Sequence, residues 1–288
     1  MTDTAIDEFA PDVAAALAAP PTPAELTVEA ARIPFHALVW GALGARPVLL
    51  LHGVTSSART WWRIGPALAA AGFRVVAPDL PGHGETRHWL GHHRFHDNAA
   101  DLAEFVRAAG LERPDLRVIG HSWGAMTAAA IPAAGFVPET LVLIDPPAVP
   151  LSAIAAMLQD PVEGSYDDID EAVAAIGRLY PTWPYGDVLA KAEGLTQFDE
   201  AAVRDVLTTN GDWDGGLGAL ADSAAQELPI WLIRGDPAVG SYVPDAILPD
   251  FAARLGPERI VTIAGGPHSP HRTHPEALVA ALLRALEG

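Results

Sequence analysis

The sequence predicts an α/β fold in which a mostly parallel sheet carries helices on both faces. Two patterns indicate this fold: short, continuously apolar runs, and helical runs that alternate with them along the chain. Strands of a parallel sheet have this continuous apolar character because helices cover both faces of the sheet. A chain of 288 residues is long enough to bury such a core in one large domain or two smaller ones.

The predicted strands and helices follow each other in a regular order. Residues 26–32 and 35–40 have half-exposed patterns, and we expect them to form a hairpin at an edge of the sheet. The other predicted strands are residues 47–51, 73–77, 116–120, 140–144, 229–234 and 259–263. The helices predicted with them are residues 61–71, 95–109, 123–134 and 275–286, and a short helix at 13–19 lies in an Ala- and Pro-rich extension, residues 1–25.

The alternation stops between Asp145 and Pro229, so we expect a core formed by residues 26–145 and 229–288 and an insertion at 146–228. The insertion has helical patterns at 167–179, 187–193 and 199–208, and no convincing strand. It also holds much of the aromatic content of the chain. We expect it to form a helical cap over the carboxyl ends of the strands, where open α/β sheets bind ligands.

Charge and composition exclude several classes of protein. Acidic residues outnumber basic ones by 36 to 18, and the formal charge of −18 disfavours binding to nucleic acid or to an anionic membrane. There is no cysteine, which excludes a disulfide scaffold, a thiolate metal site and a cysteine nucleophile. The amino terminus has no signal-peptide pattern and no apolar run reads as a membrane span, so we expect a cytoplasmic protein whose partner is a small molecule.

Residues 120–124 read Gly-His-Ser-Trp-Gly and match the pattern G-x-S-x-G. A predicted strand precedes this segment and a predicted helix follows it. A tight turn between a strand and a helix holds the serine in a strained backbone conformation and projects its hydroxyl into a cleft. Ser122 is therefore the candidate nucleophile.

A serine hydroxyl needs a base to take its proton and an acid to orient that base. His268 follows the last predicted strand, at the same edge of the sheet as Ser122, and is the candidate base. Two aspartates follow predicted strands and keep the chain order of serine, acid and histidine. We favour Asp236, because it lies after the insertion and next to the strand that precedes His268, and Asp145 is the alternative.

Four motifs together resemble a known family. They are Leu-His-Gly at 51–53, Asp-Leu-Pro-Gly-His-Gly at 79–84, the serine turn, and Gly-Pro-His-Ser-Pro at 266–270. Over residues 26–287 the sequence resembles the α/β-hydrolases of the lidded esterase, lactonase and carbon–carbon hydrolase type. The resemblance implies a doubly wound, mostly parallel sheet of eight strands, with a helical cap inserted after strand six. It also implies an oxyanion hole formed by the backbone N–H groups of Val54 and Trp123.

The sequence departs from the family pattern at the acid. The family usually places its acid three residues after the glycine of strand seven, and that position is Ala238 here. Either Asp236 fills the role from a shorter loop, or the acid has moved to Asp145 after strand six.

These residues predict a serine hydrolase that cleaves a carboxylic ester or lactone of a hydrophobic small molecule through an acyl-enzyme. We expect the substrate to contact aromatic side chains, with Trp183, Trp213, Tyr185 and Trp61 as the candidates. No cofactor is expected. No metal is expected either, since the histidine-rich stretch 83–96 lacks the carboxylate–histidine spacing of metallohydrolases. Two alternatives remain: a carbon–carbon bond hydrolase of a β-diketone-type substrate, and a non-catalytic ligand sensor on the same fold.

Overall fold

The computed structural model describes residues 9–30, 33–86, 91, 93–160, 163–221 and 227–287. Ten strands lie in these ranges: β1 (Ala24–Ala30), β2 (Ile33–Trp40), β3 (Arg46–Leu51), β4 (Phe73–Pro78), β5 (Arg117–His121), β6 (Thr140–Ile144), β7 (Ala148–Val149), β8 (Trp213–Asp214), β9 (Ile230–Arg234) and β10 (Ile260–Thr262). The helices there are α1 (Pro11–Ala18), α2 (Ile64–Ala70), α3 (Phe95–Ala108), α4 (Trp123–Ala130), α5 (Leu151–Ala155), α6 (Ile169–Leu179), α7 (Tyr185–Thr196), α8 (Glu200–Thr209), α9 (Leu217–Leu220), α10 (Leu248–Leu255), α11 (Pro270–Thr273) and α12 (Pro275–Glu287).

Eight of these strands form one sheet, in the order β1-β2-β4-β3-β5-β6-β9-β10. The pairs β1–β2 and β2–β4 are antiparallel, and every later pair is parallel. The predicted eight-stranded, mostly parallel sheet and the predicted hairpin at its edge are therefore confirmed. The carboxyl ends of β3, β5, β6 and β9 lie side by side, so the loops after these strands meet at one edge of the sheet.

The sheet is buried on both faces, as the apolar runs predict. Leu49 and Leu51 point into a core formed with α3, α4 and α10, and Leu50 points into a second core formed with α1, α2 and α12. All three leucines are fully buried. Burial of a leucine side chain contributes about 2 kcal/mol to folding stability, so β3 is firmly packed beneath the candidate site.

We call residues 146–228, between β6 and β9, the cap segment. It contains α5 to α9 and a small antiparallel ribbon formed by β7 and β8. Aspartates cap the first turns of two of its helices. Asp168 precedes α6 and accepts a hydrogen bond from the Glu171 N–H, and Asp199 precedes α8 and accepts from the Ala201 N–H. The ribbon is a correction to the sequence prediction of no strand here. Strands of two residues are too short for any periodic pattern to reveal.

No helix within the described ranges has the length and apolar character needed to cross a bilayer.

Candidate active site

Ser122 occupies a tight turn between β5 and α4, with φ 55° and ψ −121°. The two flanking glycines are required by close backbone contacts. A Cβ at Gly120 would lie 2.2 Å from the Gly124 carbonyl oxygen, and a Cβ at Gly124 would lie 2.5 Å from the carbonyl oxygens of Leu51 and His52. The G-x-S-x-G spacing is therefore what allows β3, β5 and α4 to approach each other while the serine takes a strained conformation.

His268 lies on the loop after β10 and meets Ser122. Its Nε2 atom is 2.9 Å from Ser122 Oγ. The imidazole ring is held between two other rings, with Tyr242 at 4.6 Å and His121 at 4.8 Å between ring centroids. The His121 Nε2–H donates to the His268 carbonyl oxygen at 2.8 Å, which positions the loop backbone as well. Burial lowers the pKa of His121, and the neighbouring His268 lowers it further, so His121 is a neutral donor.

Asp145 is the carboxylate that contacts His268. Its Oδ2 atom is 2.6 Å from His268 Nδ1, and the side chain is fully buried. It also accepts hydrogen bonds from the Gly235 N–H, the Ser241 hydroxyl and the Tyr242 N–H, at 2.8, 2.5 and 2.9 Å. Burial alone would raise the pKa of Asp145, but the bond to His268 and these donors outweigh burial and lower its pKa.

Asp236, the favoured candidate for this role, lies elsewhere. Its carboxylate accepts from the N–H groups of Ala238 at 2.9 Å and Gly265 at 3.1 Å, and so caps the turn after β9. The reason lies in the strand order. β6 lies directly beside β5, and His121 pairs with Ile144, so Asp145 emerges next to Ser122, whereas β9 is one strand further away.

One proposed oxyanion donor, Trp123, follows Ser122 in the chain, and the other, Val54, follows Gly53, which lies against Ser122. Trp123 is the first residue of α4, so its N–H has no partner inside the helix. Gly53 lies against the serine, since a Cβ built there would be 3.2 Å from Ser122 Cβ, and Val54 follows it. In the described part of the chain neither the Val54 nor the Trp123 amide has an acceptor. Both remain available to a substrate oxygen, and their role stays a prediction.

His52 shapes the loop that carries Val54. Its Nδ1–H donates to the Gly53 carbonyl oxygen at 2.8 Å, and its Nε2 accepts from the Leu80 N–H at 2.9 Å. Burial lowers the pKa of His52, which agrees with this neutral form. The Leu-His-Gly and Asp-Leu-Pro-Gly-His-Gly motifs therefore meet through a hydrogen bond, a contact that sequence spacing did not reveal.

A charged pair from the cap segment also holds this loop. Lys191, on α7, donates to Glu163 Oε2 at 2.6 Å and to Thr55 Oγ1 at 3.1 Å, and the Thr55 hydroxyl donates to Glu163 in a short hydrogen bond. Helix α7 approaches closely at Gly194, where a Cβ would lie 2.9 Å from the Ser56 Cα. No motif in the sequence pointed to Lys191, Glu163 or Thr55, because their contact depends on how the cap segment docks.

The predicted substrate-binding aromatics occupy four different environments. Trp61 is fully buried against His271, with ring centroids 5.4 Å apart, and Trp213 is buried against Phe95. Tyr185 is 69% exposed. Trp183 is half-buried and lies over Arg272, with the guanidinium carbon 5.0 Å from the ring centroid. The structure thus places Trp183 near the His268 loop and places Trp61 in the core behind it.

A cavity of about 130 Å³ opens beside the loop that carries Val54. Apolar side chains, Met157, Phe198 and Leu207 among them, line part of it, and polar or charged residues line the rest: Thr55, Glu163, Ser165, Glu200 and Arg204. A cavity of about 150 Å³ can hold benzene, so this one has room for a small group that meets both apolar and polar side chains.

One cluster could in principle bind a metal ion. Ligand atoms of Glu25, His36 and Glu85 lie within 4.8 Å of one another. The guanidinium of Arg59 is 3.7 Å from Glu25 and 3.8 Å from Glu85, so a cation already occupies the position between these two carboxylates. Of the histidine-rich stretch, His88 and His92 lie outside the described residues.

A serine on a strand–helix turn is hydrogen-bonded here to a histidine, and the histidine to a buried aspartate, at one edge of a mostly parallel sheet. This arrangement is typical of α/β enzymes with a hydrolase architecture. The model of the alpha/beta hydrolase family matches residues 48–281. The chain belongs to the alpha/beta hydrolase family, as its motifs indicated.

Individual relatives differ in the activity that their names state. Epoxide hydrolase A from Mycobacterium tuberculosis (strain ATCC 25618 / H37Rv) is 34% identical over 106 residues, 36% of this chain and 32% of that protein. Lipase LipV from the same strain is 31% identical over 154 residues, 52% of this chain and 56% of that protein. The matches thus span between a third and just over half of the length of these relatives.

A solved structure shares the fold over nearly the whole chain. E-2-(Acetamidomethylene)succinate hydrolase aligns with a TM-score of 0.79 and 22% sequence identity, covering 92% of this chain and all of that chain. At this level of identity the likeness concerns the fold alone.

Proposed function

We propose that this hydrolase cleaves a carboxylic ester or lactone of a hydrophobic small molecule through an acyl-enzyme on Ser122. One observation supports the proposal above all: the hydrogen-bonded series of Ser122 Oγ, His268 and Asp145, with distances of 2.9 and 2.6 Å. The apolar part of the cavity beside Thr55, lined by Met157, Phe198 and Leu207, has room for a small apolar group of the substrate.

In this mechanism His268 Nε2 takes the proton of the Ser122 hydroxyl as its oxygen attacks the substrate carbonyl. Asp145 holds the His268 Nδ1–H and stabilises the imidazolium that forms. The N–H groups of Val54 and Trp123 bind the negatively charged oxygen of the tetrahedral intermediate. His268 then donates its proton to the leaving alkoxide. A water, deprotonated by His268, releases the acid from Ser122.

The nucleophile argues against epoxide opening by covalent catalysis. Attack of a serine oxygen on an epoxide carbon would leave an ether, which the same histidine and water could not hydrolyse. Attack on an acyl carbon leaves an ester, which they can. Ser122 therefore favours acyl transfer, although a relative is named an epoxide hydrolase.

The test is a panel of p-nitrophenyl esters, lactones and β-diketones, assayed with the wild type and with Ser122→Ala. We expect the wild type to hydrolyse esters or lactones, and with the p-nitrophenyl esters we expect a burst of nitrophenolate close to one per active site. Ser122→Ala should show no burst and a loss of about 10⁴-fold or more in kcat.

A fluorophosphonate probe supplies the matching chemical readout. It should add one phosphonyl group to the wild type, located at Ser122 by mass spectrometry, and none to Ser122→Ala. Hydrolysis that survives in Ser122→Ala would contradict the proposal. So would binding without turnover across the whole panel, or cleavage of diketones alone.

A further inference from the structure

Arg272 has a buried guanidinium close to the loop after β10 that carries His268, which we call the catalytic loop. It lies on α11, four residues after His268, and only 7% of the residue is exposed. Within the described residues its guanidinium makes one hydrogen bond, from Nη2 to Thr60 Oγ1 at 3.3 Å, and its buried Nε–H has no acceptor there. Arginine has five N–H donors, so most of its hydrogen-bonding capacity is unused.

Two other arginines are buried in the described part of the chain, and both have carboxylate partners. Arg117 is 2.7 Å from Glu139 and Arg234 is 2.7 Å from Asp245, and the partly buried Arg63 is 2.5 Å from Asp187. Within the described residues no carboxylate oxygen lies within 4.0 Å of Arg272. A buried charge without a partner is costly, so natural proteins keep such a group where a ligand or partner neutralises it.

The carboxylates nearest to Arg272 already serve other cations. Burial lowers the pKa of Arg272, and the charges of Asp187 and Glu163 oppose that effect. Asp187 is bonded to Arg63, and Glu163 is bonded to Lys191. Asp187 and Glu163 are thus each in direct contact with a cation other than Arg272.

The surroundings of Arg272 connect it to the triad. The ring of His271, the residue before it, is 4.7 Å from the ring of His121, which is itself 4.8 Å from that of His268. On the cap side the ring of Trp183 covers the guanidinium, and Tyr180 stacks on Trp183 at 3.9 Å. Arg272 thus lies between the catalytic loop and an aromatic wall of the cap segment.

We propose that Arg272 binds a carboxylate of the substrate, so that the ester or lactone cleaved at Ser122 carries a free acid group. A guanidinium suits this ligand because its planar N–H groups pair with both oxygens of a carboxylate. The cation also offsets, at the site itself, the repulsion that a chain of charge −18 exerts on an anion. This inference rests on the proposed function and adds the acid group to the substrate.

The experiment compares esters that differ only at the end of the acyl chain. Mono-p-nitrophenyl succinate, glutarate and adipate are matched with p-nitrophenyl butyrate, pentanoate and hexanoate. For at least one chain length we expect the wild type to prefer the acid-bearing ester by about tenfold or more in kcat/KM. Arg272→Met should abolish this preference while the rate on the alkyl ester changes less than about threefold. Arg272→Lys should retain part of the preference, and Arg178→Met, at an exposed cap position, should retain it all.

A binding measurement separates this inference from the proposed function. Calorimetry with succinate, glutarate and adipate should show binding to Ser122→Ala and none to the double variant Ser122→Ala/Arg272→Met. If no ester is hydrolysed, the proposed function fails and calorimetry still tests Arg272. Equal rates for acid and alkyl esters in the wild type would overturn the inference. An equal loss on both ester types in Arg272→Met, or dicarboxylate binding that survives in the double variant, would also overturn it.

Discussion

Backbone strain in this molecule is concentrated at the candidate site. Among the described residues, three that are not glycine have a positive φ: Thr55 at 54°, Ser122 at 55° and Asp145 at 43°. Such conformations cost about 1–3 kcal/mol each and persist only where the surroundings hold them in place. The close packing at the two glycines that flank Ser122 holds the serine in place. Four hydrogen bonds hold Asp145, and the contact with Lys191 and Glu163 holds Thr55. The strained residues are thus Ser122, the aspartate that contacts His268, and Thr55 beside the proposed oxyanion donor Val54.

The two candidate acids can be separated by one pair of variants. Asp145→Asn should lower kcat on an activated ester by about 10³–10⁴-fold, because an amide can no longer hold the Nδ1–H tautomer of His268 and stabilise its imidazolium. Asp236→Asn should change kcat less than about threefold, because Asp236 caps a turn and does not touch His268. Circular dichroism and thermal unfolding check that both variants fold. A large loss in Asp236→Asn with normal activity in Asp145→Asn would contradict the assignment.

At the scale of elements, helix α7 anchors the cap segment to the core at two places. Near its start Asp187 pairs with Arg63 at 2.5 Å and accepts from the Trp62 indole N–H at 3.0 Å. One turn later Lys191 and Glu163 hold Thr55, next to the proposed oxyanion donor Val54. Both anchors are buried ion pairs, and of the two only the second contacts the loop that carries Val54.

Variants of the two anchors therefore form a matched pair that tests whether the Lys191 contact with the Val54 loop affects kcat. Lys191→Met removes the cation that holds Glu163 and Thr55, so we expect kcat to fall by about tenfold with little change in KM. Asp187→Asn disrupts the other anchor, and we expect kcat to stay within about twofold. Both variants should lose about 3 kcal/mol of unfolding free energy in urea, the cost of breaking a buried ion pair. Equal kcat losses in the two variants would mean that Lys191 acts only through cap docking.

Across the whole molecule, buried histidines make stability depend on pH. Burial lowers the pKa of His52, His83, His121 and His271 below the ordinary value of 6.5. The unfolded chain therefore binds protons at these residues from about pH 6.5 downward, before the folded chain does. Their stabilisation is complete above pH 6.5 and is lost progressively as the pH falls toward the folded-state pKa values.

Among the described histidines, His36 acts in the opposite direction. Its hydrogen bond to Asp79, at 2.8 Å, raises its pKa. Its contribution is present below pH 6.5 and is lost as the pH rises through its folded-state value. Because four buried histidines have a lowered pKa and one has a raised pKa, acidification should destabilise the fold.

We therefore expect the unfolding free energy to fall on going from pH 7 to pH 5.5, with each buried histidine contributing up to about 1.4 kcal/mol per pH unit. Urea unfolding at several pH values in one buffer system at constant ionic strength measures this dependence. His36→Gln provides the control: its stability should fall more steeply with acidification than that of the wild type. A stability that is flat or rises between pH 7 and 5.5 would contradict the argument.

The parts of the fold and site that the sequence could predict are those with local signals. A pattern within a few residues indicates each of three features: the apolar run at Leu49–Leu51, the tight turn around Ser122 and the loop of His268. The ribbon of β7 and β8 and the contact of Lys191 with Thr55 have none. They depend on how the cap segment packs against loops far away in sequence.

The sequence by itself determined the doubly wound sheet and the family and singled out Ser122 and His268 as candidates, because periodicity and short motifs depend on neighbouring residues. Only the tertiary structure decided which aspartate meets His268, because that depends on β6, and not β9, lying beside β5. It also decided that Arg272 is buried with no carboxylate of the described residues in contact, since a charge becomes costly only when the folded chain removes it from water.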